Sequence, residues 1–234
     1  MEVTPINGVQ SFWDGFDFTY ILSILLGVIP SLLCITLHEM SHGLVAYKLG
    51  DDTAKRQGRL SFNPLKHLDP VGLLMMLVFH VGWAKPVPVN MYKFKNPKRG
   101  MAVTALAGPM SNMLIAVVFM LIYGAAYVPL GRSSVGIYFL QMIQLTAVLS
   151  IGLAIFNLLP VPPLDGSKVL FSLLKDEDYY KLMHYERYGG IIMLILVATG
   201  VLGKPLDYAI DAVYSWLVPL AQLACDGIVY LFYM

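Results

Sequence analysis

The chain has 234 residues, 57% of them hydrophobic and 13% charged, and its formal net charge is +1. Soluble domains carry about 25% charged residues. The composition therefore excludes an ordinary soluble globule and, with several long apolar runs, points to a polytopic membrane protein. The balanced charge excludes the broad basic field that a nucleic-acid partner would need.

In chain order, residues 1–16 are polar and aromatic, with Trp13 suited to an interfacial anchor. No Lys or Arg precedes Lys48, while Glu2, Asp14 and Asp17 are acidic, so no cleavable signal peptide is expected. A spanning helix is predicted from about Phe18 to Leu37, continuing to about Leu49 and ended by Gly50-Asp51-Asp52. Pro30 should kink it, because proline removes a backbone donor and clashes with the preceding turn.

The last turns of this helix carry His38-Glu39-Met40-Ser41-His42, an H-E-x-x-H pattern. Residues i and i+4 share a helix face, so both imidazoles point the same way. Two imidazoles are two of the three protein ligands of a catalytic zinc, and Glu39 stands beside the water position as a general base. Ionisable groups next to a long apolar run are costly, which favours function over a chance match.

Residues 51–69 are basic and turn-rich, and Gly58-Arg59-Leu60-Ser61-Phe62-Asn63-Pro64 has the partial alternation of a short strand. Val71–Trp83 is apolar but contains His80; its ~13 residues would span about 20 Å as a helix, short of a ~30 Å hydrocarbon core. Both its flanks are basic, which favours a re-entrant element over a crossing. Lys85-Pro86-Val87-Pro88-Val89-Asn90 reads as extended, since proline fixes φ and restricts the residue before it.

Met101 to about Val128 is a second span, opening on small residues (Ala105, Ala107, Gly108) that permit close helix approach. Gly136 to about Leu159 is a third. It ends in Asn157-Leu158-Leu159-Pro160-Val161-Pro162-Pro163-Leu164-Asp165-Gly166, followed by a charged stretch over 168–187. Tyr188–Leu202 and about Ile210–Phe232 make a fourth and fifth. The fold class expected is an all-α polytopic membrane protein, 1–234 forming a single domain. Cys34 and Cys225 are far apart in apolar surroundings and read as small buried hydrophobes.

A zinc site needs one more protein ligand, and His67, Asp69, His80 and Asp165 are the candidates. Asp165 follows a proline-interrupted helix end, and irregular backbone at membrane depth persists only where protein buries it or it lines a wet cavity. Gly166 would allow a close approach there. His80 could equally be a plug or a group behind the ligands, while His67 and Asp69 look like turn residues. Asn112 and Asn157 are the remaining polar side chains in apolar runs, each suited to an oxyanion contact or to an interhelical hydrogen bond.

The ordered set of His38–His42, Gly58–Pro64, Gly108-Pro109-Met110-Ser111-Asn112 and Asn157 to Gly166 resembles the site-2 protease family of intramembrane zinc metalloproteases, in its compact branch without a PDZ domain. The resemblance covers about Thr36 to Lys168. It implies one zinc ion per chain held by His38, His42 and Asp165, with Glu39 activating water and Asn157 assisting. It also implies that Gly58–Pro64 and Lys85–Asn90 form a small membrane-associated β element able to meet an extended substrate. Val87 and Val89, the positions between and after the prolines, and the polar Asn112 are the substrate-binding candidates.

The function expected is an intramembrane zinc endopeptidase acting on transmembrane proteins or peptides. The alternatives are a membrane metal-ion transporter, or a catalytically silent scaffold of the same fold. The lipid bilayer is the other partner expected, and no nucleic acid is. Basic loops place the N-terminus outside a bacterial cell membrane and the site toward the cytoplasmic side. In single-cysteine variants, probes near Arg56 and Lys95 should be labelled from the same side; labelling from opposite sides would show that Val71–Trp83 crosses.

Overall fold

The computed structural model describes residues 18–72 and 84–233. Among these, eight α-helices follow one another: α1 Phe18–Lys48, α2 Thr53–Arg56, α3 Pro97–Leu130, α4 Ser134–Asn157, α5 Asp165–Ser172, α6 Asp176–Tyr185, α7 Gly189–Ala198 and α8 Gly203–Tyr233. Four of them, α1, α3, α4 and α8, are long and apolar enough to cross a membrane. The chain is a helical integral membrane protein.

Helix α3 is the hub of the bundle, packed against α1, α4, α5 and α8. Its core joins Ala116 and Met120 of α3, Ala147 and Ile151 of α4, and Leu217 and Ala221 of α8. Each helix gives that seam one alanine beside one large side chain, as suits a bundle where lipid supplies no hydrophobic drive and close packing must hold helices together. The limit is reached at Gly124, where a Cβ would collide with the backbone of Ala221. Cys34, fully buried, sets its sulfur 3.0 Å from Ser150 Oγ and so ties α1 to α4.

Two expectations are corrected. The span expected at Tyr188–Leu202 is the ten-residue helix α7, about 15 Å long at 1.5 Å per residue and so half of what a crossing needs. Glu186–Tyr188 ahead of it is a tighter 3₁₀ turn, and Gly200, at φ +67°, stops it. The count of spans is four among the described residues.

The β element expected at Gly58–Pro64 and Lys85–Asn90 reduces, among the described residues, to one antiparallel bridge between Leu68 and Ala84. The Asn63 side chain accepts from Leu65 N at 3.0 Å and starts a 3₁₀ turn over Pro64–Lys66, so local capping overrides the alternation. The re-entrant expectation for Val71–Trp83 lies, beyond Gly72, outside the described residues, as do Trp13 and His80.

Because α7 is too short to cross, single cysteines placed at Lys175 and at Lys204 should react with an impermeant thiol reagent from the same side. Reaction from opposite sides would restore the fifth span.

Candidate metal centre

Helix α1 places His38 and His42 one turn apart, and their rings meet edge-on with centroids 4.6 Å apart. Their Nε2 atoms are 3.0 Å from each other. Asp165, the first residue of α5, brings Oδ2 to 3.2 Å from His38 Nε2 and 3.1 Å from His42 Nε2. All three residues are buried, and their ligand atoms lie within 4.8 Å of one another.

Asp165 reaches this point because α4 stops at Asn157 and the proline-rich 158–164 stretch turns the chain back. Gly166 then rests so close beneath the Leu158 and Leu159 carbonyls that a Cβ would collide with them. Lys168, one turn on, stands 3.8 Å from Asp165 Oδ1 and 3.7 Å from Glu186 Oε1.

The donor set fits a cation. His42 Nδ1 lies 2.7 Å from the Thr104 carbonyl, which only accepts, so Nδ1 carries the proton and Nε2 presents its lone pair. Asn112, fully buried, sets its amide 3.2 Å from His38 Nδ1, and its own Oδ1 is buried without a hydrogen-bond donor. Amide oxygen and nitrogen are nearly isosteric, and exchanging them satisfies that oxygen with the His38 Nδ1 proton. The His38 Nε2 lone pair then also faces inward. Two lone pairs and a carboxylate oxygen converging in a buried space repel one another unless a cation lies among them. The space is held open by Gly108 of α3, whose Cβ would fall under 3.0 Å from both imidazoles.

A cavity of about 320 Å³ adjoins the triad, lined among others by Glu39, Val87, Val89, Asn157 and Lys168. Glu39 Oε2 accepts the backbone N–H of Val87 at 2.8 Å. Asn157, at the cavity wall, donates to the Leu153 carbonyl of its own helix at 2.9 Å. Asn112 is not a lining residue; it stands behind His38.

The other third-ligand candidates lie elsewhere. His67, almost fully buried, sets Nε2 2.8 Å from the Ser61 carbonyl. Asp69 caps a helical turn, accepting from Val71 N and Gly72 N at 2.9 Å each. The sequence reading passed over Thr104, which acts through its backbone carbonyl and so carries no side-chain signal. It also passed over Arg59 and Asp51, which look like ordinary loop charges yet are buried.

A bundle of membrane-length helices enclosing a buried His–His–Asp cluster beside a polar cavity defines a membrane metalloprotein of hydrolytic type. The comparisons narrow this. A profile for Peptidase family M50 matches residues 128–202. The chain is 44% identical over 178 residues to "Putative zinc metalloprotease YwhC" of Bacillus subtilis, covering 74% of this chain and 80% of that one. It is 29% identical over 213 residues to "Putative zinc metalloprotease Rip2" of Mycolicibacterium smegmatis, covering 87% of this chain and 80% of the relative. It is 32% identical over 164 residues to "Putative zinc metalloprotease MJ0611" of Methanocaldococcus jannaschii, covering 67% and 76%. No solved structure matches it significantly. The chain belongs to peptidase family M50, the site-2 protease family of zinc metalloproteases.

Gly108→Ala should cost most of the bound metal while leaving the helical content of the purified protein unchanged, because the added methyl invades the ligand cluster. Metal analysis beside circular dichroism checks this; full occupancy would refute the cradle.

Proposed function

We propose that the protein is an intramembrane zinc endopeptidase of the H-E-x-x-H type, cutting transmembrane proteins or peptides within or at the edge of the bilayer. The observation that carries this reading is the buried convergence of His38 Nε2, His42 Nε2 and Asp165 Oδ2 within one cluster, with Glu39 beside it on the same cavity. These three residues hold the ion, one per chain. Zinc there supplies Lewis acidity toward a water and a scissile carbonyl.

Glu39 takes the proton from the attacking water and delivers it to the leaving amine. Its two oxygens divide the labour: Oε2 is tied to Val87 N, and Oε1 is left to the water. Asn157, at the cavity wall, is placed to assist at the developing oxyanion. Thr104 fixes the His42 tautomer and Asn112 that of His38.

The extended Lys85–Asn90 stretch lies beside this chemistry, and Val87 and Val89 line the cavity. A substrate helix hides its carbonyls in hydrogen bonds, so it must open before cleavage, and an extended chain here can hold the opened segment by backbone pairing. The Val87 N–H is already given to Glu39. The pairing therefore falls to the Val87 carbonyl and to Val89. The membrane is the bacterial cell membrane, with the site toward the cytoplasm; the basic loops beside α2 and ahead of α3 support that orientation.

His38→Ala, His42→Ala and Asp165→Ala should each lose most bound zinc and all proteolysis. Glu39→Gln should keep the zinc and lose activity by about a thousandfold or more, as expected when a general base is removed. Metal analysis and cleavage of a single-span test peptide check both. A zinc-loaded Asp165→Ala protein would sink the ligand set, and an active Glu39→Gln protein would sink the base.

A further inference from the structure

The Lys85–Asn90 segment is extended yet lies in no strand among the described residues; past the Lys85 N–H, which donates to the His67 carbonyl at 2.9 Å, side chains hold it. At its start, Arg59 Nη2 donates to the Lys85 carbonyl at 2.7 Å and to the Pro86 carbonyl at 3.3 Å. In its middle, Val87 N donates to Glu39 at 2.8 Å. At its end, Asn90 N donates to Asp51 Oδ2 at 2.6 Å.

Both outer anchors are built rather than incidental. Arg59 is 8% exposed and Asp51 is 0% exposed, unusual for loop charges beside polar turns. Asp51 accepts further bonds from the Thr53 amide and hydroxyl, and Lys93 stands 3.5 Å away. Burial works against its charge, but the bonds from Thr53 and Asn90 prevail and hold its carboxyl below the usual range. Packing adds a fourth restraint. Gly43, the residue after His42, leaves α1 bare enough for Leu60 and Val87 to close on it together, since a Cβ there would meet both side chains.

We infer that Arg59 is a positioning residue for hydrolysis: it fixes the register of the Lys85–Asn90 backbone so that the Val87 N–H holds one oxygen of Glu39 and turns the other to the reacting water. Both bonds leave the one Nη2 nitrogen, whose two hydrogens are fixed in the guanidinium plane; a lysine ammonium, on a shorter stem and without that plane, does not hold its donors at the same point. Asp51 completes the hold from the far end. The inference rests on the reading of Glu39 as the base, but it concerns the geometry of Val87 and Glu39, which can be measured without any turnover.

The test uses the full-length protein with Arg59→Met, which keeps the length of the side chain, and Arg59→Lys, which keeps its charge. Two readouts are taken. The first is hydrogen exchange in metal-free protein at the peptide containing Val87, with peptides from α3 as the folding control. The second is kcat and KM of the zinc-loaded protein on a single-span test peptide in detergent micelles.

Both variants are expected to speed exchange at Val87 as Glu39→Ala does, to leave α3 protected, and to load zinc like the parent. Their kcat should fall by about tenfold or more, the usual scale for a misplaced catalytic group, with KM within about twofold. If Arg59→Met loses α3 protection it has unfolded, and Arg59→Lys alone decides. A folded, zinc-loaded variant with the parent's kcat, or with Val87 still slow to exchange, overturns the inference. A fully active Glu39→Gln protein overturns the base instead, and leaves the exchange result standing.

Discussion

The rest of the molecule depends on two imidazole lone pairs and one carboxylate oxygen being brought within 3.2 Å of one another in a buried place. Without a cation this arrangement is repulsive, and in a low dielectric the repulsion is large. With one, the same geometry becomes a deep well. Each neighbouring irregularity follows from that requirement. Gly108 leaves α3 without a side chain where the ion must fit. The break between α4 and α5 exists so that Asp165 can enter from a helix start, its carboxylate turned toward the imidazoles. Thr104 gives up a carbonyl, and the amide of Asn112 is spent behind a ring, because a neutral imidazole must have its far nitrogen satisfied before its near one can bind metal.

What was legible in the sequence is what short-range periodicity encodes. The i, i+4 spacing placed His38 and His42 on one face, and the apolar runs located α1, α3 and α4 to within about four residues, while α8 begins seven residues ahead of the expected Ile210. The proline-interrupted end of α4 marked Asp165 as a residue on broken backbone. Helix α7 misled because hydropathy measures how apolar a run is, whereas crossing depends on how long it stays helical. Glu186–Tyr188 and Gly200 shorten it at both ends. Arg59, Asp51 and His67 were unreadable for another reason. The partners of Arg59 and Asp51 lie across the fold, at Lys85 and Asn90, and a loop charge looks the same in sequence whether it is solvated or buried; His67 bonds locally, to the Ser61 carbonyl, and only its burial was hidden. Leu60-Ser61-Phe62 alternates like a strand, but Asn63-Pro64 caps a turn immediately after it, and the local bond is formed at lower entropic cost than a distant pairing.

The extended segment shows how a helical membrane protein can present strand-like backbone without a sheet. A sheet edge needs a neighbouring strand to fix its register, and here, past the one backbone bond from Lys85 to the His67 carbonyl, a guanidinium, a carboxylate on α1 and a buried aspartate do so instead. Pro86 and Pro88 suit this design, since each lacks an N–H that would otherwise need a partner. The remaining donors are then few and placed: Val87 points to Glu39, Asn90 to Asp51, and Val89 remains beside the cavity. A chain laid against this segment could pair with it over only a short stretch. Recognition of that kind favours an opened backbone over any particular side chain.

Water is the other reactant, and the charged groups around the cavity indicate how it arrives. Asp165, Lys168 and Glu186 form a ladder of opposite charges with steps of 3.8 and 3.7 Å, all lining the same cavity as Glu39. Such a ladder is untenable in hydrocarbon and stable where water reaches it. It leads from the metal cluster to the 3₁₀ turn at Glu186–Tyr188. On the proposed reading, lipid would meet the ligands along the apolar lengths of α1 and α4, and water through this cavity. A hydrolase for membrane-embedded chains needs that meeting point. On the proposed reading, the substrate would leave hydrocarbon only as far as Val87 and Val89, while the water it reacts with would never enter hydrocarbon at all.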